Sequence, residues 1–292
     1  MKKLIALLLA CVMVLSLCAC GTGDKPEASE TPSPTEQVSN VDTCILMEAD
    51  ENMINTYSLL AVNPNAPFTD ADGNAVSDVK INADGAETFI DWMLSEASKL
   101  IKEYGVEEYG DNLFYLKDDA PKYDDKIANA SDENRVIRLS TTTSVKDSGL
   151  LDYILPVFEQ EYGYKVEVQS AGTGKAIAAA KYGNADVILV HSKAQEEAFV
   201  DEGFSYVLSG FDSERLSFMY NYFVLCGPSN DPAGVKDCGS VLDAFAKIAD
   251  GKYPFVSRGD NSGTHTKELS LWPESLGISE DSKSFADYTQ WY

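Results

Sequence analysis

Histidine is nearly absent from this sequence, and basic side chains are few. The 292 residues include 2 His, and 23 Lys and Arg stand against 47 Asp and Glu, giving a formal net charge of −24. Because little basic charge is present to replace phosphate counterions, nucleic acid is excluded as a partner. The shortage of imidazoles also argues against a protein-coordinated metal. Strong acidity repels anions at long range, so any anion site must bind through close, local donors.

The amino terminus reads as an export signal. Two lysines precede an apolar run from Leu4 to Leu17, which is too short for a permanent membrane span. The run ends in a Leu-Cys-Ala-Cys sequence that resembles the lipobox of bacterial lipoproteins. We therefore predict a signal peptide at 1–19, lipidation of Cys20 and a disordered tether at 20–40, with an ordinary cleaved signal as the alternative. These features predict an extracytoplasmic protein that is lipid-anchored to the bacterial cell membrane.

Few cysteines remain once the signal and Cys20 are set aside. They are Cys44, Cys226 and Cys238. An odd number permits at most one disulfide within the chain, and Cys226 with Cys238 is the closest pair in sequence. Free buried thiols fit the sequence equally well.

Apolar periodicity predicts an α/β fold. From position 135 onward, strand and helix patterns alternate, which is typical of mainly parallel sheets flanked by helices, with ligands at the carboxyl ends of strands. Strands are predicted at 45–47, 57–62, 136–139, 165–169, 185–190, 220–225 and 254–257. Helices are predicted at 86–104, from 148 onward, and at 175–181, 194–201, 241–249 and 266–271.

Three predicted strand-to-helix turns are rich in Ser, Thr and Gly. They lie at 141–144, 172–174 and 257–264, and the last carries Arg258. Backbone N–H groups converge at the start of a helix, short hydroxyls add donors, and a guanidinium supplies positive charge. Together the three turns predict a pocket for a small oxyanion.

Each turn also has a simpler explanation. Thr143, Ser144 or Asp147 could serve only to cap a helix, and the glycines of the second turn could be required by its backbone conformation. Arg258 could pair with a carboxylate, as most arginines in an acidic protein do.

An enzyme is not expected. Ser262, Asp260 and His265 include the residue types of a hydrolase triad, but they lie within one turn, and no Gly-x-Ser-x-Gly elbow is present. An extracellular hydrolase using Ser262 or Ser144 stays as an alternative of another class. His191, directly after a predicted buried strand, is interpreted as a hydrogen-bonded structural histidine.

Several motifs, taken together, resemble a known family. They are Leu139-Ser-Thr-Thr-Thr-Ser144, Gly172-Thr-Gly174, Asn184-Ala-Asp-Val-Ile-Leu-Val-His191, Met219-Tyr-Asn221, Asp231-Pro-Ala-Gly234 and Ser257-Arg-Gly-Asp260 with Ser262-Gly-Thr-His265. In this order they resemble the tungstate-binding lipoproteins of bacterial ABC transporters.

That resemblance implies a fold and a function. It implies a two-lobed periplasmic-binding-protein fold of type II that closes on tungstate, or molybdate, and presents it to a membrane permease. It also implies a monomer without a cofactor. Carried over position by position, the pocket residues are Thr142, Thr143, Ser144, Thr173, Ser257, Arg258, Ser262 and Thr264.

The order of the segments departs from that family. Residues 41–116 resemble the family's carboxyl-terminal part but precede its amino-terminal part, which predicts a circular permutation or a tandem copy cut short. A linker at 117–134 would then lead into lobe 1 at 135–218 and a partial lobe 2 at 219–292. A segment that helps to form the family's second lobe has no counterpart here, so a degenerate relative that acts only as a surface protein is a further alternative.

The identity of the anion stays open at the level of sequence. A fully deprotonated tetraoxo dianion offers only hydrogen-bond acceptors, so a pocket of donors suits tungstate. Hydrogen phosphate also needs an acceptor, which Asp147 or Asp260 could provide. A phosphate- or sulfate-binding protein is therefore the closest alternative.

Overall fold

A computed structural model describes residues 42–260 and 262–292 of the chain. The predicted signal peptide, Cys20 and the tether at 20–40 lie outside the described residues. Among the residues that are described, no helix is long and apolar enough to cross a membrane.

Strands and helices alternate through most of the chain. The strands are β1 (Thr43–Met47), β2 (Ile54–Ala61), β3 (Tyr115–Leu116), β4 (Val136–Thr142), β5 (Lys165–Ala171), β6 (Val187–Val190), β7 (Leu216–Tyr222) and β8 (Leu225–Pro228). The helices are α1 (Ala83–Leu94), α2 (Glu96–Ile101), α3 (Val106–Tyr109), α4 (Thr143–Asp147), α5 (Leu150–Tyr162), α6 (Thr173–Lys181), α7 (Lys193–Asp201), α8 (Val241–Gly251) and α9 (Gly263–Leu269). Short 3-10 turns lie at Glu51–Met53, Val235–Asp237, Glu274–Leu276 and Ser282–Tyr288.

The larger sheet has six strands in the order β3-β7-β2-β6-β4-β5. Strand β4 runs parallel to β5 and β6, whereas β2 pairs antiparallel with β6 and β7, and β3 pairs antiparallel with β7. The sheet is therefore mixed, and the expected parallel arrangement holds only for β4 to β6. Crossover helices join those three strands, which is the connection that parallel pairing requires.

Alternate residues of the central strands pack into separate cores on the two faces of this sheet. Leu59 and Leu189 belong to the core that contains Phe89 and Trp92 of α1 and Phe158 of α5. Leu60 and Ile188 belong to the core that contains Ile177 of α6 and Phe199 of α7. Because successive side chains of a strand point to opposite faces, helices cover both sides, as an α/β fold demands.

The helix predicted at 86–104 is two helices in the structure. Helix α1 begins earlier, where the Asn82 side chain accepts a hydrogen bond from the backbone N–H of Gly85 at 2.9 Å. It stops at Ser95, whose hydroxyl donates to the carbonyl of Asp91 at 2.7 Å and whose backbone leaves helical geometry. A serine that bonds back to its own helix competes with the helical ladder, which explains the break.

A third apolar core forms around the two-stranded antiparallel sheet of β1 and β8. Helix α8 contributes Phe245 and Ile248, and Trp272 and Trp291 complete the cluster. A cavity of about 640 Å³, lined mainly by apolar side chains, opens beside β8. The three cysteines of this region, Cys44, Cys226 and Cys238, are free thiols.

Two predicted strands differ near this core. The strand expected at 220–225 divides into the end of β7 and the start of β8. The strand expected at 254–257 does not form; instead the backbone N–H of Phe255 donates to the carbonyl of Trp291 at 2.6 Å. Phe255 lies among aromatic rings, with Trp272 at 5.0 Å between centroids, so side-chain packing replaces a strand ladder there.

The chain crosses between the larger sheet and the third core at two neighbouring places. Met53 belongs to the third core and is followed directly by β2, while β7 is followed by Phe223 of the third core. The two crossing strands are paired, with Asn55 opposite Asn221. Elements from 41–116 thus share both sheets with elements that follow residue 135.

Candidate functional site

The ends of four strands and the start of a fifth meet at one edge of the six-stranded sheet. Thr142 at the end of β4 lies opposite Ala171 at the end of β5, and Thr141 lies opposite Leu189 of β6, in parallel register. The carboxyl ends of these strands therefore share an edge. Strand β2 runs antiparallel to both β6 and β7, so Asn55 near the start of β2 and Asn221 near the end of β7 reach the same edge.

The first predicted turn supplies a buried threonine and two exposed hydroxyls. Thr142 is buried and caps α4, its Oγ1 accepting from the backbone N–H of Val145 at 3.4 Å. Thr143 and Ser144 are exposed, and Ser144 Oγ lies 3.0 Å from Thr142 Oγ1. The helix cap is thus Thr142, which leaves the hydroxyls of Thr143 and Ser144 accessible at the sheet edge.

The second turn contains an unsatisfied hydroxyl. Thr173 is the first residue of α6, and only 1% of its surface is exposed. Its Oγ1 is buried and has no hydrogen-bond partner within the described chain. Burying an unpaired hydroxyl costs roughly 1–3 kcal/mol, and such exceptions concentrate where a ligand or water completes the bonding.

The third turn approaches the same edge through Gly263. A Cβ built on Gly263 would lie 2.4 Å from Cε1 of His191, the residue that follows β6. Ser262 caps α9 by accepting from the backbone N–H of His265 at 3.3 Å. Thr264, in the first turn of α9, lines the cavity of the third core. Of the predicted residues in this segment, Ser262 is therefore the one that caps α9 directly before the glycine packed against His191.

Ser257 and Arg258 are bonded to other partners. The Ser257 hydroxyl donates to Glu268 Oε2, and the Ser257 Oγ accepts from the backbone N–H of Gly259 at 3.2 Å. Arg258 is about half exposed and pairs with Asp260, Nε to Oδ2 at 2.8 Å. In this structure the guanidinium therefore has a carboxylate partner, and it faces the cavity of the third core.

A polar network that was not predicted from the sequence lies near Ser144. Asn55 Nδ2 donates to the Tyr57 hydroxyl at 2.8 Å and to Asn221 Oδ1 at 3.0 Å. The Tyr57 ring lies 5.0 Å from the His191 ring between centroids. Ser144 Oγ lies 3.1 Å from His191 Nε2. Asn55 and Tyr57 are two positions apart in one strand, so their side chains point to the same face of the sheet. This spacing was the feature of the sequence that could have predicted the network.

This network is uncharged around neutral pH. Burial lowers the pKa of His191 to about 4 and raises the pKa of Tyr57 to about 12. Both groups resist ionisation because a charge in this environment would lose its hydration. The sheet edge thus presents neutral hydrogen-bond donors and acceptors.

About half of this chain is similar in sequence to proteins named for anion binding. The chain is 49% identical over 147 residues to the tungstate-binding protein TupA of Peptoclostridium acidaminophilum, covering 50% of this chain and 49% of that protein. It is 46% identical over 142 residues to a putative ABC transporter anion-binding protein of Haloferax volcanii, covering 49% and 39%. The chain thus spans about half or less of these relatives' lengths.

About half of this chain is also similar to proteins of known structure. The tungstate ABC transporter structure from Geobacter sulfurreducens is 41% identical, with coverage of 51% of this chain and 61% of that chain and a TM-score of 0.42. The tungstate-binding protein TupA of Desulfovibrio alaskensis G20 is 36% identical, with coverage of 51% and 56% and a TM-score of 0.38.

A sequence model of a protein superfamily also matches the chain. The match is to the PBP superfamily domain and runs over residues 128–288, which is more than half of the 292 residues. It includes the ends of β4, β5 and β6 and the start of α9. On this match, the chain belongs to the periplasmic-binding-protein (PBP) superfamily and has an α/β fold of that type.

Proposed function

We propose that this protein is an extracytoplasmic solute-binding protein that captures a tetrahedral oxyanion, tungstate or molybdate, for an ABC importer. The observation that carries the proposal is the buried hydroxyl of Thr173, which has no protein partner among the described residues. It sits at the start of a nine-residue helix that follows β5, and the end of β5 pairs with the end of β4, directly before the exposed Thr143 and Ser144. Relatives whose names include tungstate binding support the same reading.

The hydrogen-bond acceptors of the ligand match the hydrogen-bond donors at the edge of the six-stranded sheet. A tetraoxo dianion carries only acceptor oxygens, so hydroxyl and backbone donors satisfy it without adding protein charge. Donors held in a partly buried site bind an anion more strongly than exposed ones, because water competes less. This matters in a chain of net charge −24, which disfavours anions at a distance.

The proposed ligand set keeps all eight residues from the resemblance. Thr142, Thr143, Ser144 and Thr173 border the shared strand ends, with Ser262 directly before the glycine packed against His191. Ser257, Arg258 and Thr264 would contribute from the third core's side of the site. Arg258 would have to exchange its contact with Asp260 for the anion, which is feasible because the pair is exposed and therefore weak.

Further parts of the proposal concern the whole protein. Cys20 would anchor it to the membrane, a permease would be its partner, and it would act as a monomer. Residues 135–218 and 219–292 would form lobe 1 and part of lobe 2, with 41–116 placed before them by permutation or by a truncated tandem copy. The mixing of strands from both segments in each sheet is compatible with such a rearrangement.

A hydrolase is the second candidate, and one contact favours it. Ser144 Oγ and His191 Nε2 lie 3.1 Å apart, which is the distance of a nucleophile and its general base. However, His191 Nδ1 has no orienting carboxylate among the described residues, and a pKa near 4 makes its imidazole a weak base. The anion-binding function therefore accounts for more of the site.

Calorimetry separates these functions. The full chain is titrated with tungstate, molybdate, sulfate and phosphate, and we expect saturable heat with tungstate and molybdate. Heat with phosphate alone would favour the phosphate-binding alternative. No heat with any of the four would contradict the proposal, and ester hydrolysis that disappears in Ser144→Ala would establish the hydrolase.

A further inference from the structure

The cavity of the third core follows the open edge of a two-stranded sheet. Strand β8 pairs with β1, and its other edge has no partner strand among the described residues. Six consecutive residues, 223–228, line the cavity. Because successive side chains of a strand point to opposite faces, such an unbroken run means that the edge of β8 faces the cavity.

The pairing with β1 determines which backbone groups of β8 face the cavity. The N–H of Ser229 donates to the carbonyl of Asp42 at 2.9 Å, and Gly227 lies opposite Cys44 in the same register. Antiparallel strands bond through every second residue pair, so Gly227 bonds towards β1 and Cys226 does not. The N–H and C=O of Cys226 therefore point to the open edge.

A second backbone run lines the same cavity. Residues 253–256 contribute to its lining without interruption. The N–H of Phe255 donates to the carbonyl of Trp291, whereas the N–H of Val256 has no hydrogen-bond partner in the described chain. The Val256 side chain is 93% exposed. A strand in the cavity would supply partners for both runs.

The cavity has room for a short strand. Strands lie about 4.8 Å apart, layers lie about 10 Å apart and each residue advances about 3.4 Å, which gives roughly 160 Å³ per residue. At that rate, about 640 Å³ holds roughly four residues. Leu225, Phe245, Ile248 and Leu271 are among the apolar side chains of the lining. An occupant with apolar side chains at alternate positions would bury them there.

One cation of the lining has no carboxylate partner. The Lys267 ammonium donates to the carbonyl of Asn52 at 3.0 Å and forms no ion pair within the described part of the chain, and burial lowers its pKa. The acidic residues of the lining are already engaged. Glu268 accepts from the Trp272 indole N–H at 2.6 Å, and Asp231 accepts from backbone N–H groups of the following turn. An acidic side chain on the occupant would compensate Lys267.

We propose that this cavity receives an extended segment of another polypeptide, which adds a strand to the open edge of β8. Its side chains are apolar at alternate positions, and an acidic one pairs with Lys267. A fatty acid would fill the apolar space but would offer no alternating donors and acceptors to Cys226 and Val256. Edge addition by a peptide backbone satisfies both requirements. The inference does not depend on the proposed anion function.

Hydrogen exchange of the full chain, followed by NMR, tests the open edge. The probe is an acetylated and amidated heptapeptide in which valine alternates with threonine and the central residue is aspartate. We expect an excess of this peptide to slow exchange of the Cys226 and Val256 amides at least about tenfold. The Gly227 amide, which already bonds to β1, should change less.

The matched control is the same peptide with N-methyl groups at alternate residues, which keeps the side chains and removes backbone donors. It should give no protection. Equal protection by this control or by dodecanoate would show that apolar filling suffices, and would overturn strand addition. Absence of protection by the unmodified peptide would overturn it as well.

A change of charge tests the role of Lys267. Replacing the aspartate of the peptide with lysine should weaken binding about tenfold, because an ion pair becomes a repulsion in a half-buried place. In Lys267→Met the two peptides should bind within about threefold of each other. The same preference for the aspartate peptide in both proteins would overturn the assignment of the acidic side chain to Lys267.

Discussion

Gly263 and His191 come from segments more than 70 positions apart, yet they touch at the site. A Cβ at position 263 would lie 2.4 Å from Cε1 and 2.8 Å from Nδ1 of the imidazole. The backbone of Gly263 does not need a left-handed conformation, so the constraint is space alone. The contact joins the start of α9 to the end of β6.

Replacement of Gly263 should therefore disturb the site. We expect Gly263→Ala to lower the free energy of unfolding by roughly 1–3 kcal/mol, the usual cost of overpacking, and to weaken tungstate binding by displacing the His191 ring. Urea unfolding and calorimetry measure the two effects. Gly239→Ala is the control, because its Cβ would meet only Asp243 Oδ2 at 3.7 Å. Normal binding by Gly263→Ala would show that the imidazole can move without consequence.

The Thr173 hydroxyl is buried without a partner in the described residues, so its removal should lower tungstate affinity without lowering the stability of the fold. Thr173→Val keeps the shape of the side chain and removes a buried hydroxyl that has no partner in the described part of the chain. We expect stability to be unchanged or higher by about 1 kcal/mol, while tungstate affinity falls about tenfold. Thermal melts and calorimetry give the two values.

The control for Thr173 is another buried threonine, Thr141. The Thr141 hydroxyl donates to the carbonyl of Leu189 at 2.6 Å, so Thr141→Val should lose roughly 1 kcal/mol of stability and keep its affinity within about threefold. If Thr173→Val binds tungstate like wild type, the buried hydroxyl is not a ligand donor.

Arg258 and Asp260 should have opposite effects on the anion. Asp260 Oδ2 holds Arg258 Nε at 2.8 Å and competes with any anionic ligand for the guanidinium. We expect Arg258→Gln to weaken tungstate binding by at least about tenfold and Asp260→Asn to strengthen it a few-fold, because charge-assisted bonds exceed neutral ones. Titrations of both variants test this. Unchanged affinity in Arg258→Gln would remove Arg258 from the ligand set.

Asp186 stabilises the framework at the opposite end of β6 from the site. It is fully buried and accepts from the backbone N–H groups of Asn82 at 2.9 Å and Arg138 at 2.7 Å, as well as from the Arg138 guanidinium. Asp186→Ala should cost roughly 3–5 kcal/mol, because it leaves Arg138 uncompensated. Asp152→Asn, which removes the exposed partner of Lys146, should cost less than about 1 kcal/mol. Similar losses in the two variants, measured by urea unfolding, would contradict this account.

Asp91 makes stability depend on pH. Burial, followed by repulsion from Glu87, raises its pKa to about 7, and one carboxyl oxygen has no partner among residues 42–260 and 262–292. A carboxyl with a raised folded-state pKa contributes stability at low pH that is lost as pH rises towards 7. We expect Asp91→Asn to be more stable than wild type by roughly 1–3 kcal/mol at pH 8, with the difference vanishing near pH 4. Melts across pH 4–8 measure it, and a difference independent of pH would refute the assignment.

The strand and helix pattern was largely accessible from the chain itself. Leu150, Leu151, Ile154 and Phe158 are buried on one face of α5, as their helical spacing predicts. The four residues of β6 are all buried, as an uninterrupted apolar run predicts. Such patterns depend on neighbours along the chain, so they can be read without knowledge of the fold. The strand expected at 254–257 does not form, because its short apolar pattern does not indicate which strand could pair with it.

Local chemistry along the chain is enough to establish an α/β protein with hydroxyl-rich turns at strand ends, because periodicity, caps and glycine turns are short-range properties. The network around Ser144 required the fold. Asn55, Tyr57, Asn221 and His191 come together near Ser144 because β7, β2, β6 and β4 are consecutive in the sheet, and β2 begins where the other three end. Pairing between such distant segments depends on long-range packing, which no local pattern encodes.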